Sequence, residues 1–206
     1  IHPYTTADRL EGLSFYGLDP DKKHILLTGG SLGSGTLNAA VRTWIALGCP
    51  GGEGVQLLWQ CGKYYKSGID AFMAGRSCPD IRYSDFIARM DLAYAAADLV
   101  ISRSGASSIS EICAAHKAAV FVPSPNVAED HQTKNALALV DKDAAIYVKD
   151  VEAKDKLLPM ALETIANPGK LKSLSENIAK LALPDSATII AREVLKLSLS
   201  PVGKGK

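Results

Sequence analysis

Short runs of consecutive apolar residues alternate along this chain with longer stretches in which apolar positions recur every three or four residues. The first pattern fits strands covered on both faces, and the second fits helices lying against them. Strands are predicted at 24–28 (HILLT), 55–60 (VQLLWQ), 81–86 (IRYSDF), 99–102 (LVIS), 118–122 (AAVFV) and 144–148 (AAIYV). Helices are expected at about 36–47, 64–74, 90–97, 107–115 and 131–140. From Glu152 to Ser198 the chain reads as helical, broken at NPG (167–169) and at LPDS (183–186), where Pro184 and Asp185 end one helix and open another. No internal repeat is visible. Such an order predicts an α/β fold, a doubly wound parallel sheet with helices on both faces and a C-terminal helical tail. Ligands of these sheets bind outside the carboxyl ends of the strands, so three loops there carry the functional reading.

The first is TGGSLGSG (28–35), which leaves the first strand and opens a helix. Gly30 and Gly33 let the backbone turn tightly around Ser31, and the helix N-terminus offers free N–H groups to an oxyanion. A tight turn without a ligand is the bland alternative. A dinucleotide site is disfavoured, because that fold needs a carboxylate at the end of the second strand and this chain has Gln60 and Cys61 there. No GK[ST] follows, so a Walker phosphate loop is excluded as well.

The second loop is SRSGASSISE (102–111). Gly105 and Ala106 leave room for a ligand, while Ser107 and Ser108 present hydroxyls and amides at a helix N-terminus. Glu111 is suited to accept from the two hydroxyls of a ribose, since an ionised acceptor makes the stronger hydrogen bonds. Its spacing from Ser108 also fits a capping box that merely closes the helix. Arg103 either balances Glu111 or a phosphate, or is paired for structure alone. The third loop is PSPNVAEDHQTKNA (123–136), where His131 and Gln132 can bond a polyhydroxylated ligand. The alternative there is Asp130 as a helix cap with both neighbours in solvent.

Composition changes this picture little. Of the 206 residues, 47% are apolar and 22% charged, enough for one full core. A net charge of +1 with dispersed basic residues argues against a nucleic-acid partner. Cys49, Cys61, Cys78 and Cys113 show neither paired nor metal-ligand spacing, so a reduced, cytoplasmic chain without zinc is expected. Asp91, Asp98 and Arg103 interrupt the most apolar region, and no stretch approaches the roughly 18 residues of a membrane span. The opening IHPYTTADRLEG has no signal-peptide pattern and looks cut from a longer chain.

Together, GGSLGS, FIARMDLAYAAADLVISRSGASSISEICA and VPSPNVAEDHQTKNA closely resemble the C-terminal half of the bacterial MurG glycosyltransferases, over residues 22 to 198. That resemblance implies a Rossmann-like domain, one half of a GT-B fold, which binds UDP-N-acetylglucosamine (UDP-GlcNAc). It implies residues 1–21 as an interdomain linker, 22–198 as the UDP-sugar domain and 199–206 as a flexible tail, with the N-terminal acceptor domain absent. By the same resemblance Ser31 contacts the diphosphate, and the backbone of Ile87, with Met90 nearby, reads the uracil edge. Ala106 to Glu111 hold the nucleotide with Glu111 on the ribose, and Gln132 and His131 contact sugar hydroxyls. The implied activity of the complete enzyme is inverting transfer of GlcNAc to lipid I at the cytoplasmic face of the cell membrane, with no cofactor or metal. DPD (19–21) has the spacing of a metal-binding carboxylate pair but reads as a turn. No general base is recognisable, His24 and His116 reading as strand-start and helix-end residues, and the fragment alone is expected to be inactive. The family's GNPVR is missing, which leaves open whether His2 takes its arginine's place. A UDP-GlcNAc 2-epimerase-like enzyme and a non-catalytic nucleotide-sugar module are the other readings.

Overall fold

The computed structural model describes residues 1–183 and 186–199. The expected break at Pro184 and Asp185, and the tail from residue 200 onward, lie outside the described residues. Six parallel strands form one sheet: β1 (Lys23–Thr28), β2 (Val55–Gln60), β3 (Ile81–Ser84), β4 (Leu99–Ser102), β5 (Ala118–Phe121) and β6 (Ile146–Tyr147). Their order is β3-β2-β1-β4-β5-β6. The chain works outward from β1 in one direction, then returns to β4 and works outward in the other. The topological switch point therefore falls between β1 and β4, where crossover loops diverge and leave a crevice.

Among the described residues the chain has nine α-helices: α1 (Thr6–Tyr16), α2 (Gly35–Ala46), α3 (Lys66–Met73), α4 (Met90–Ala96), α5 (Ala106–Ala114), α6 (His131–Val140), α7 (Ala153–Ile165), α8 (Pro168–Ala179) and α9 (Ser186–Leu199). Strand alternation sorts the core into two layers. Ile25 and Leu27 face Leu37, Val41 and Trp44 of α2 and Leu157 and Ala161 of α7. Leu26 faces the opposite layer, with Tyr94 of α4, Ile112 of α5 and Leu139 of α6.

Three strands end earlier than the apolar runs suggest, β5 by the single residue Val122. β3 stops at Ser84, which pairs with Gln60, the last residue of β2. Beyond that point the Asp85 carbonyl still accepts from Gly62 N–H at 3.1 Å, but β2 has ended at Gln60 and the chain turns into a loop. β6 pairs only through Val120↔Ile146 and Phe121↔Tyr147 and is an edge strand of two residues.

Within the stretch expected as a linker, α1 is a complete helix. Thr5 and Asp8 form a reciprocal capping box, and Gly17 closes the other end in the left-handed region. It packs on α4 so closely that a Cβ at Gly12 would overlap the Leu92 carbonyl. Arg9 then reaches the sheet, donating to Ala96 O at 2.7 Å and to Asp98 at 3.1 Å. Asp98 also accepts from the His24 backbone N–H at 2.8 Å. Burial pushes the Asp98 carboxyl up, but the hydrogen bonds from His24 and Arg9 outweigh it and hold the group at about 2.

Candidate functional site

The parallel register brings the last residues of the inner strands into one row. Ser84, Gln60, Thr28 and Ser102 are successive partners across β3, β2, β1 and β4. Above this row, at the switch point, opens a cleft of about 600 Å³. Its floor is the 29–36 loop and the start of α2, one wall is Arg103, Gly105 and Ser108, and the far wall is Ser124, Asn126 and Gln132.

The glycine loop is held by its own backbone. Gly33 N–H donates to Gly30 O at 3.0 Å, and both glycines have φ above +80°. Gly33 rests against the end of β2, where a Cβ would overlap the Cys61 carbonyl. Ser34 caps α2, its hydroxyl accepting from Leu37 N–H at 3.3 Å and from the Arg103 guanidinium at 2.7 Å. A serine before a helical stretch carries a cap signal, so Ser34 was legible in principle.

Arg103 is neither Glu111's partner nor a free cation. Its guanidinium pairs with Asp150 and donates to the carbonyls of Val122 and Pro123 at 2.9 and 3.0 Å. Asp150 also accepts from Thr36 Oγ1 at 3.0 Å. The arginine therefore ties the ends of β4 and β5 to the start of α2, and nothing in the local sequence marks Asp150 as its partner.

α5 begins differently. Gly105 is its N-cap and has no side chain to cap it, and no atom lies within 4 Å of where a Cβ would stand. The first N–H groups of α5 thus have no side-chain cap. Glu111 lies in the second turn, six residues after the cap, so the capping-box alternative is excluded. Its carboxylate instead accepts from the buried Tyr94 hydroxyl at 3.1 Å. Burial, and then the Glu111 charge, push that phenol well above its ordinary range.

The remaining residues divide between the cleft and its surroundings. Gln132 lines the cleft, its side-chain oxygen accepting from Ser124 N–H at 2.9 Å. His131 is exposed at the start of α6, with Nδ1 2.9 Å from Ala128 O. Asp130 stands at the cap position in the left-handed region without a backbone cap bond, its carboxylate accepting from Thr133 Oγ1 at 2.6 Å. Ile87 is buried in the β3–α4 loop, lines a separate hollow of about 400 Å³ with Phe15 and Phe86, and donates its N–H to Gln60. Met90 opens α4, and Ala106 and Ser107 are exposed on the first turn of α5. His2 is exposed and contacts Pro3 O at 2.8 Å. DPD forms the expected turn, with Asp21 N–H on the Asp19 carboxylate at 2.9 Å. His24 is the second residue of β1, and His116 follows the Ala115 C-cap of α5 in the left-handed region, as expected of strand-start and helix-end residues. The four cysteines are unpaired. Sequence reasoning missed Ser124, Asn126 and Tyr65, all cleft-lining.

Two helix N-termini and a glycine loop meet in a cleft lined by no carboxylate. That arrangement suits a polyanion with attached hydrogen-bonding groups. Among the described residues no three His, Cys, Asp or Glu side chains gather to hold a metal.

Fold and cleft together define an α/β domain of the doubly wound class, with an open cleft at the switch point of its sheet. The chain belongs to the family described as glycosyltransferase family 28 C-terminal domain, whose model matches residues 24–190. It is 57% identical over 192 residues to the UDP-N-acetylglucosamine--N-acetylmuramyl-(pentapeptide) pyrophosphoryl-undecaprenol N-acetylglucosamine transferase of Bacteroides fragilis, covering 93% of this chain and 50% of that protein. The protein of the same description from Bacteroides thetaiotaomicron is 59% identical over 187 residues, covering 90% and 50%. The chain thus spans about half the length of the curated relatives it matches. Among solved structures, MurG of Acinetobacter baumannii superposes with a TM-score of 0.74 at 29% identity, over 91% of this chain and 53% of that one. A UDP-N-acetylglucosamine 2-epimerase from Listeria monocytogenes, at 11% identity and TM-score 0.60, shares the fold.

Proposed function

We propose that this chain is the UDP-GlcNAc-binding half of an inverting transferase that moves GlcNAc to the C4 hydroxyl of lipid I, making lipid II for peptidoglycan. The observation that carries the reading is the convergence of the glycine loop, the uncapped start of α5 and Gln132 on one cleft at the switch point. The identity to the Bacteroides proteins supports the choice of sugar nucleotide. Residues 22–198 form the donor domain and 1–21 lead into it.

In this reading the diphosphate lies over the N–H groups of the 30–33 loop and of Gly105 to Ser108, with Ser31 and Ser108 as hydroxyl donors. The uracil lies against Ile87 and Met90, Glu111 takes the ribose hydroxyls, and Gln132 with His131 holds the sugar. The acceptor oxygen attacks the anomeric carbon as the bond to the β-phosphate oxygen breaks, and the electron pair leaves with UDP. Preorganised N–H dipoles stabilise the charge that develops there. The acceptor site and the base that takes the C4 hydroxyl proton belong to the other half of the enzyme, which works at the inner membrane face. No described helix is long and apolar enough to cross a membrane.

Calorimetric titration tests the reading. UDP-GlcNAc binds, NAD does not, and Glu111→Ala weakens the first. The chain alone shows no transfer to lipid I. Absence of UDP-GlcNAc binding, or turnover by the chain alone, overturns it.

A further inference from the structure

The end of β2 carries a second device that the ligand contacts do not include. Gln60 is 2% exposed. Its Nε2 donates to Gly30 O at 2.8 Å and to Thr28 Oγ1 at 3.2 Å, and its Oε1 accepts from Ile87 N–H at 2.8 Å. One side chain thus bridges the glycine loop after β1 and the loop between β3 and α4. The amide has only one workable orientation. Flipped, it would set oxygen against the Gly30 carbonyl and nitrogen against the Ile87 N–H.

We infer that Gln60 is a positioning residue, whose two-ended amide fixes the separation between the loop that holds the diphosphate and the loop that reads the base. The inference rests on the UDP-sugar reading and adds a residue to it that touches no ligand. The two loops meet opposite ends of one nucleotide, so a shift of either costs binding at both. The same position accounts for the expectation against a dinucleotide site. Where a carboxylate would wait for a ribose, an amide is already committed to protein partners on both sides.

The discriminating variant is Gln60→Glu. A carboxylate can still accept from Ile87 N–H but opposes the Gly30 carbonyl with a second acceptor, whereas the protonated acid regains a donor. Burial raises such a carboxyl's pKa, so the acid form returns at mildly acidic pH. The neighbouring Cys61 thiol is itself pushed up by burial and stays protonated throughout this range. UDP-GlcNAc affinity, measured calorimetrically on this chain and taken relative to wild type at the same pH, is expected to fall on the order of tenfold at about pH 8 and to recover largely at about pH 6. Gln60→Leu, which can do neither, is expected to stay weak at both. Equal affinity of Gln60→Glu and wild type at both pH values overturns the inference alone, as does an equal loss at both. Failure of the wild-type chain to bind UDP-GlcNAc removes the underlying reading and this inference with it. Backbone exchange in β1 reports folding, and global loss of protection in either variant would make Gln60 a core residue and overturn the assignment.

Discussion

Arg103 and Asp150 form an ion pair 47 residues apart in sequence, with side chains 14% and 18% exposed. The same guanidinium bonds Ser34 and two carbonyls that follow β5, so a single cation holds three loops of the cleft in register. Removing the cation leaves Asp150 with the Thr36 hydroxyl as its remaining partner and strands the two carbonyls. Arg103→Met is therefore expected to lose roughly 3–5 kcal/mol in urea denaturation, and Asp150→Asn less, because the amide still accepts. Loss of under about 1 kcal/mol for Arg103→Met would place the arginine's role in ligand binding instead of the scaffold.

Tyr94 and Glu111 supply a more local test. Tyr94→Phe removes one hydrogen bond to the carboxylate and leaves the ring in the core. UDP-GlcNAc affinity is expected to drop roughly threefold to tenfold by calorimetry, against a larger loss for Glu111→Ala. An unchanged affinity in Tyr94→Phe would show that the phenol does not orient the carboxylate.

The two glycine positions should behave in opposite ways. Gly33 combines a φ of +81° with the backbone of Cys61 at its Cα, so Gly33→Ala is expected to cost about 1–3 kcal/mol of stability and to lose binding. Gly105 has φ −66° and open space beside it, so Gly105→Ala should leave thermal stability nearly unchanged. Its methyl group projects into the cleft wall and weakens ligand binding. A stable Gly33→Ala would contradict the close packing of the loop on β2.

At the opposite end of the sheet, Asp98 gives the chain an acid-sensitive tie. The folded carboxyl titrates at about 2, against 3.8 for the unconstrained group. Its contribution, ~2 kcal/mol, is thus fully present above the unfolded value and is lost as pH falls from there toward 2. Asp98→Asn is expected to be less stable than wild type by that amount at neutral pH, with the difference shrinking below pH ~4. Urea denaturation at several pH values measures it, and a gap that persists in acid would assign the effect to packing.

Much of this was legible along the chain. Continuous apolar runs such as HILLT and VQLLWQ became the two central strands β1 and β2, because burial on both faces permits few polar residues. The helix that opens at Gly35 was marked by its apolar period and by the glycine loop before it. α1 was not, since its amphipathic face is short and it packs on α4 through Gly12, Leu13 and backbone close approach more than through an apolar stripe.

The site shows the same division. Sequence alone determined that a glycine loop and two further loops stand at the strands' carboxyl ends, because strand order and loop composition are properties of neighbouring residues. Tertiary structure decided which of their side chains meet. It gave Arg103 to Asp150, set Glu111 beside Tyr94 instead of at the helix cap, and joined Gly30 to Ile87 through Gln60. Helix and strand periods act over a few residues, whereas these pairings close loops of 17 to 47 residues, and only the packed sheet brings such distant groups to hydrogen-bond distance.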